Sequence, residues 1–229
     1  MNNAPRFPLA LLVSALAFAL LFLAFPRLDL IANGAFHSPE HGFVLTGNVL
    51  FDTLRAYLGV LVIALLALPL LVWGLSLRGR ADVAEKWRGR RPAALFLALA
   101  MLLGPGLMVN MVFKDQWGRA RPSQVEEFGG TAHFTPAWVI SDQCRKNCSF
   151  VCGDASVGFV LLAVAFVSRR PRLWLSIGIA AGAALGLMRM GQGGHFLSDV
   201  IFSFYVVYFT AWALYRFMTR RGRTILPLD

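Results

Sequence analysis

The sequence predicts an all-α polytopic membrane protein, with six transmembrane helices in one domain over residues 1–229. Hydrophobic residues make up 57% of the chain and charged residues 15%, whereas soluble domains carry about 25% charged residues. The apolar residues form six long blocks, and a helix needs roughly 20 such residues to cross about 30 Å of hydrocarbon. Most of the Lys and Arg residues fall on one side of these blocks. Together these observations exclude a water-soluble fold.

Each apolar block is predicted to be one span. The six blocks are 8–25, 56–77, 93–113, 150–168, 173–190 and 198–217. The first could be a signal peptide, but the segment Ala24-Phe25-Pro26-Arg27 lacks a small-residue cleavage site, so we interpret it as a retained anchor. The two long connections are 27–55 and 114–149. The first of them is apolar enough to lie along the membrane interface, although it could equally be a tether.

The Lys and Arg residues predict the orientation, because short cytoplasmic loops collect them. With the N-terminus inside, fourteen of the 22 lie on the cytoplasmic side and eight outside. The C-terminus is then also cytoplasmic, and both long connections face outwards. The net charge of +10 does not indicate nucleic acid as a partner, because the basic residues flank the spans. We expect anionic lipid headgroups to be the partners of these residues; nothing in the sequence indicates an oligomeric state.

The outer side also holds the three cysteines of the chain. Cys144 and Cys148 stand four residues apart in the second long connection, and Cys152 follows at the start of the fourth span. If the outer compartment is oxidising, a bridge between Cys144 and Cys148 is expected. The alternative is three free thiols.

Two clusters of candidate site residues flank the third and fourth spans. Lys114 and Arg121 follow the third span and share a face if the helix continues. They could be interfacial anchors, but the outer side has few other cations, which favours an anion site. The fourth span begins with Cys152-Gly153-Asp154, where a glycine at a helix start lets backbone N–H groups approach a phosphate. Any membrane helix can begin in this way.

A third cluster lies between the fifth and sixth spans, where Arg189 precedes a glycine-rich segment that ends in His195. If His195 opens the last helix, Asp199 lies one turn further on the same face. A carboxylate that holds one imidazole nitrogen leaves the other poised for attack. The alternative is a structural His–Asp pair.

Together the clusters resemble the signature of the type-2 phosphatidic acid phosphatase family. That signature is Lys, six residues, Arg-Pro; then Pro-Ser-Gly-His; then Ser-Arg, five residues, His, three residues, Asp. The first and third elements match in spacing, although Met188 stands where the family has Ser. The middle element reads Val151-Cys152-Gly153-Asp154, so the second histidine of the family is absent. The six-span layout is also similar to that of the helical bundle in the family's membrane-bound lipid phosphatases.

The resemblance implies a metal-independent lipid phosphatase without a cofactor. His195 would attack phosphorus and form a phosphohistidine, and Asp199 would orient His195. Asp154 would stand in for the histidine that protonates the leaving group. The phosphate would be bound by the cations and by the backbone at the fourth span, through Lys114, Arg121, Arg189, Cys152 and Gly153.

The segment around the middle element also resembles the lipid A phosphatase branch, which implies the 1- or 4′-phosphate of lipid A as the group removed. The site would then face the periplasm from the bacterial inner membrane. Undecaprenyl diphosphate, phosphatidylglycerophosphate and phosphatidate are alternative substrates. A phosphotransferase, or a non-catalytic binder of anionic lipid, is also an alternative.

Overall fold

The computed structural model describes residues 8–78, 89–220 and 225. Within these residues the chain is mainly helical, in agreement with the predicted all-α class. One short hairpin pairs two strands of two residues each, β1 (His37–Ser38) and β2 (Gly42–Phe43). The predicted cytoplasmic termini and most of the connection before residue 89 lie outside the described residues. The principal helices are α1 (Leu9–Ala24), α2 (Arg27–Gly34), α3 (Val49–Arg78), α4 (Arg91–Gln116), α5 (Gly153–Phe166), α6 (Pro171–Gly191) and α7 (Leu197–Met218).

The prediction of six spanning helices is not confirmed. Among the described residues, α4, α6 and α7 are long and apolar enough to cross a membrane, and α1 with α2 would make a fourth if that pair, bent by 88°, is one span. The first helix stops at Ala24, where Phe25-Pro26 breaks it. The fourth predicted span, 150–168, contains the short helix α5, which reaches about 25 Å because its second half is 3₁₀-helical.

Glycines bring α5 and α6 into close contact at the centre of the bundle. Gly178, Gly182 and Gly186 recur every four residues along α6 and are buried, a spacing that lets membrane helices approach closely. A Cβ atom on Gly158 of α5 would come within 2.5 Å of the backbone nitrogen of Gly182. This packing places the N-terminus of α5 beside the C-terminus of α6.

The segment 27–55 is not a simple tether, because most of it is folded against the bundle. Helix α2 points Asp29 and Asn33 inwards, and both side chains are fully buried. The hairpin packs Phe43 on the ring of Phe128, with ring centroids 5.2 Å apart. Helix α3 begins at Val49, seven residues before the predicted second span. The first long connection is therefore shorter than predicted.

The second long connection, 114–149, closes on itself beside the end of α4. The backbone N–H of Cys148 donates to the carbonyl of Lys114 (3.0 Å), and that of Ser149 donates to the carbonyl of Arg119 (2.9 Å). Residues 148–152 are fully buried although they precede α5. A buried, non-helical segment thus leads into the short helix.

Candidate active site

The three clusters converge at one end of the bundle. Lys114 lies at the end of α4, Asp154 in the first turn of α5 and Arg189 in the last turn of α6. His195 does not open the last helix, because α7 begins two residues later at Leu197. A cavity of about 510 Å³ opens beside these residues and is lined by Asp52, Arg55, Ala56, Leu58, Asn110, Lys114, Gly153, Asp154 and Val157. Clusters that are separate in the sequence are therefore neighbours in the structure.

His195 is held with one ring nitrogen available. Its side chain is 1% exposed, and Nδ1 lies 2.7 Å from the carbonyl oxygen of Ser149. Because a carbonyl only accepts hydrogen bonds, Nδ1 carries the proton and Nε2 keeps its lone pair. Burial lowers the pKa of His195 to about 4, and the Lys114 and Arg189 cations act in the same direction, against the opposing effect of Asp199. The ring is neutral at pH 7, as a nucleophile must be.

Asp199 does not contact His195 in the way that the sequence suggested. Its Oδ2 lies 3.7 Å from Nδ1 of His195, too far for a hydrogen bond. The same oxygen instead accepts from Ser149 Oγ (2.5 Å) and from the backbone N–H of Phe196 (2.8 Å). Asp199 therefore holds Ser149, whose carbonyl oxygen accepts the hydrogen bond from His195 Nδ1.

The second oxygen of Asp199 is held by a residue that the sequence reasoning missed. Arg119 is fully buried and donates through Nη1 to Asp199 Oδ1 (2.6 Å) and through Nη2 to Asp29 Oδ2 (2.8 Å). It also donates to Ser198 Oγ (2.9 Å), and Ser198 in turn donates to Asp29. One arginine thus joins α2 to α7 behind the imidazole.

The sequence did contain one indication of this network, because charged residues in apolar surroundings must be paired. Asp29 and Arg119 are such residues, but they lie 90 positions apart, and no periodicity joins them. Nothing in the sequence showed that they would meet.

Three cations face the site, and protein groups hold each of them. Lys114 Nζ donates to Asn147 Oδ1 (3.2 Å), and Arg121 Nη2 donates to the backbone oxygen of Asn147 (2.8 Å). Arg189 Nη1 donates to Gln192 Oε1 (2.5 Å). Burial, followed by the neighbouring Arg55 cation, lowers the pKa of Arg121. Protein groups therefore fix the positions of all three cations, as a pre-organised anion site requires.

Asn147 sits in a loop that is closed by a disulfide between Cys144 and Cys148, whose Cα atoms are 5.7 Å apart. Asn147 has a left-handed backbone, with φ of 53°. Its N–H donates to Asp115 Oδ1 (3.2 Å). The disulfide loop therefore presents Asn147 to two of the three cations.

The middle cluster supplies a carboxylate and a helix start. Asp154 Oδ2 lies 2.7 Å from Arg189 Nε and 3.7 Å from Arg55 Nε. Gly153 is close enough to the first cluster that an added Cβ would lie 2.7 Å from Lys114 Nζ. A side chain here would therefore displace the lysine head.

Cys152 is buried, whereas a side chain that binds phosphate would be exposed to the cavity. Its thiol is fully buried and accepts from the backbone N–H of Ala155 (3.4 Å), which caps α5. The backbone N–H of Cys152 donates to the carbonyl of Asp199 (3.0 Å), so that N–H is not available to a phosphate.

The fold and the site together define a membrane-embedded phosphatase, with a neutral buried imidazole among three cations at one end of an α-helical bundle. A model of the PAP2 superfamily matches residues 93–223, which contain all three clusters. The chain belongs to this family, and the resemblance drawn from the motifs is confirmed. Among the described residues, no three His, Cys, Asp or Glu side chains come close enough to hold a metal ion.

The names of similar proteins show which branch of the family the chain belongs to. The chain is 42% identical over 207 residues to a lipid A 4′-phosphatase of Francisella tularensis subsp. novicida, which covers 87% of this chain and 90% of the relative. It is 35% identical over 197 residues to a lipid A 4′-phosphatase of Rhizobium leguminosarum, which covers 79% and 82%. No solved structure matches the chain significantly. The chain is a membrane phosphatase of the lipid A phosphatase branch.

Proposed function

We propose that the protein hydrolyses the 4′-phosphate of lipid A at the periplasmic face of the inner membrane, through a phosphohistidine on His195. The observation that carries the mechanism is the hydrogen bond from Nδ1 to the Ser149 carbonyl, because it leaves Nε2 free beside three cations. The names of the two relatives support the 4′ position. The distribution of Lys and Arg supports the periplasmic face.

In the first step, Nε2 of His195 attacks phosphorus in line with the bond to the sugar oxygen. The P–N bond forms as the P–O bond breaks, and negative charge spreads over the three equatorial oxygens. Lys114, Arg121 and Arg189 stabilise that charge, and the two arginines can each donate two parallel hydrogen bonds. Positive charge that develops on the imidazole is stabilised through the Ser149 carbonyl and the nearby Asp199 carboxylate.

The leaving sugar oxygen needs a proton, and Asp154 is the group placed to supply it. In the free protein its carboxylate pairs with Arg189 and Arg55. A bound phosphate competes for these same arginines and so frees the Asp154 carboxyl to exchange a proton with the leaving oxygen. Substrate binding thus turns an ion-pair partner into a proton donor.

In the second step, a water molecule attacks the phosphohistidine and gives its proton to Asp154. The P–N bond breaks, His195 returns to its neutral form and inorganic phosphate leaves. The products are dephosphorylated lipid and free phosphate. A phosphotransferase would instead place the phosphate on a second lipid, and a non-catalytic binder would release none.

Six membrane passes remain part of this proposal. Helices α1 and α2 would form the first pass, and α3 would form the second. The buried segment 148–152 followed by α5 would form the fourth. This layout puts the ends of the helices that carry the site on the outer side.

The proposal is tested by phosphate release from detergent-purified protein, with lipid A, undecaprenyl diphosphate and phosphatidate offered separately. We expect release from lipid A and its loss in His195→Ala. His133→Ala is the matched control, because His133 lies on the same side with its side chain 72% exposed. Release from another lipid alone would reject lipid A as the substrate, and activity that survives in His195→Ala would reject the nucleophile.

A further inference from the structure

The outer end of α3 carries a cation that belongs to none of the three clusters. Arg55 lines the same cavity as Lys114 and Asp154, and its side chain is 47% exposed. Its Nε atom lies 3.7 Å from Asp154 Oδ2. Arg55 also lies outside the segment 93–223 that matches the family. The cation therefore reaches the site from a part of the chain that the family signature does not cover.

Polar contacts fix this end of α3 against the site. Asp52 Oδ1 accepts from Gln192 Nε2 (3.1 Å), and Gln192 Oε1 accepts from Arg189 (2.5 Å). One turn further along α3, Arg55 shares the Asp154 carboxylate with the same Arg189. Two separate polar paths thus lead from α3 to one phosphate-binding arginine. This end of α3 is therefore fixed beside the site, and Arg55 lies within ion-pair distance of Asp154.

The Arg55 cation adds to positive charge that already surrounds the site. Arg55 and Lys114 line the cavity together with the Asp52 and Asp154 carboxylates, and Arg189 Nε lies 2.7 Å from Asp154 Oδ2. Arg55 is also close enough to Arg121 to lower the pKa of that guanidinium, an effect second only to burial. A phosphate bound at this end of the bundle would therefore meet the Arg55 cation together with those of the three clusters.

We propose that Arg55 is a substrate-binding residue, which pairs with Asp154 in the free protein and with a phosphate oxygen once the phosphate monoester is bound. This inference rests on the proposed function. The guanidinium keeps one anionic partner throughout, so its transfer to the phosphate releases Asp154 for proton exchange. The competing interpretation is that Arg55 only neutralises Asp154 and never contacts the substrate.

The two interpretations differ when Asp154 is removed. We would measure binding of inorganic phosphate to the purified full-length protein by titration calorimetry, for Arg55→Gln in the native background and in Asp154→Asn. A hydrogen bond to a charged group corresponds to about 10- to 100-fold in affinity. We expect Arg55→Gln to weaken phosphate binding by about this factor in both backgrounds, and Arg55→Lys to retain part of the affinity.

An effect of Arg55→Gln that disappears in the Asp154→Asn background would overturn the proposal, because Arg55 would then act only through Asp154.

Arg27→Gln is the control, since Arg27 is an exposed arginine on the same side. Thermal melts verify folding, and Asp154→Ser replaces Asp154→Asn if the latter does not fold. A protein that binds phosphate but leaves lipid A intact would refute the proposed substrate and leave the Arg55 result standing. Wild type without measurable phosphate binding would overturn the Arg55 proposal, whereas the proposed function would still be decided by phosphate release from lipid A.

Discussion

Replacement of Arg119 by Met tests the buried network behind the imidazole. The side chain is fully buried and pairs with Asp29 on α2 and Asp199 on α7, at 2.8 Å and 2.6 Å. Methionine fills a similar volume but carries no charge. Asp29 and Asp199 would then share an apolar site without a cation, so the variant removes the one group that compensates both carboxylates.

The expected loss is large because buried carboxylates without a partner are costly. Removal of one partner from a buried ion pair typically costs about 3–5 kcal/mol, and here two carboxylates lose the same partner. For a chain of this size, each kcal/mol shifts the melting temperature by about 2–4 °C. We therefore expect Arg119→Met to melt roughly 6–20 °C below the wild type. The turnover rate should also fall, because Asp199 positions Ser149.

The assay is a thermal melt in detergent, paired with phosphate release. Arg119→Lys should fall between Met and wild type, because an ammonium has three donors where the guanidinium has five in a planar fork. Arg27→Met serves as the exposed control. If Arg119→Met melted within 2 °C of wild type and kept full turnover, the network would have neither the structural nor the positioning role assigned to it.

Three further changes have expected outcomes. The pKa of His195 is about 4 in the folded protein and about 6.5 in the unfolded chain, so between these pH values the unfolded chain binds one more proton. The wild type should therefore lose about 3 kcal/mol of stability relative to His195→Gln as the pH falls from 6.5 to 4. Melting temperatures of the two proteins that change in parallel with pH would contradict this. Cys144→Ser should loosen Asn147 and weaken phosphate binding about fivefold by calorimetry, with unchanged affinity as the contrary result. Gly153→Ala should push Lys114 aside and raise KM about tenfold with little change in melting temperature, whereas an unchanged KM would show that the lysine head adapts.

The sequence was sufficient to predict the location of the site but not its internal contacts. The spacing of Lys114, Arg121, Arg189 and His195 predicted that they would converge, because each lies at the end of an apolar block and such ends meet on one side of a bundle. Helix periodicity also put Asp199 one turn from His195. It could not show that Ser149, 50 residues away, would come between them.

Helix lengths were the less predictable part of the fold. Hydropathy does not distinguish a long apolar helix from a short helix that follows a buried non-helical segment, and residues 148–166 belong to the second kind. The bend after α1 depends on Phe25-Pro26, and the inward face of α2 depends on the distant Arg119. Arg55 was visible only as one of the outer cations, since its contact with Asp154 joins positions 99 residues apart.

Transfer of the phosphate through His195 can be followed with lipid A that carries an isotopic label in its 4′-phosphate. Purified protein is mixed with this lipid and quenched within one turnover, and the label is followed in protein, lipid and free phosphate. We expect the label to appear first on His195, as an acid-labile phosphohistidine, and then as inorganic phosphate, with neither form in His195→Ala. Label that stays at the 4′ position, or that reaches free phosphate without passing through His195, would contradict the proposed mechanism.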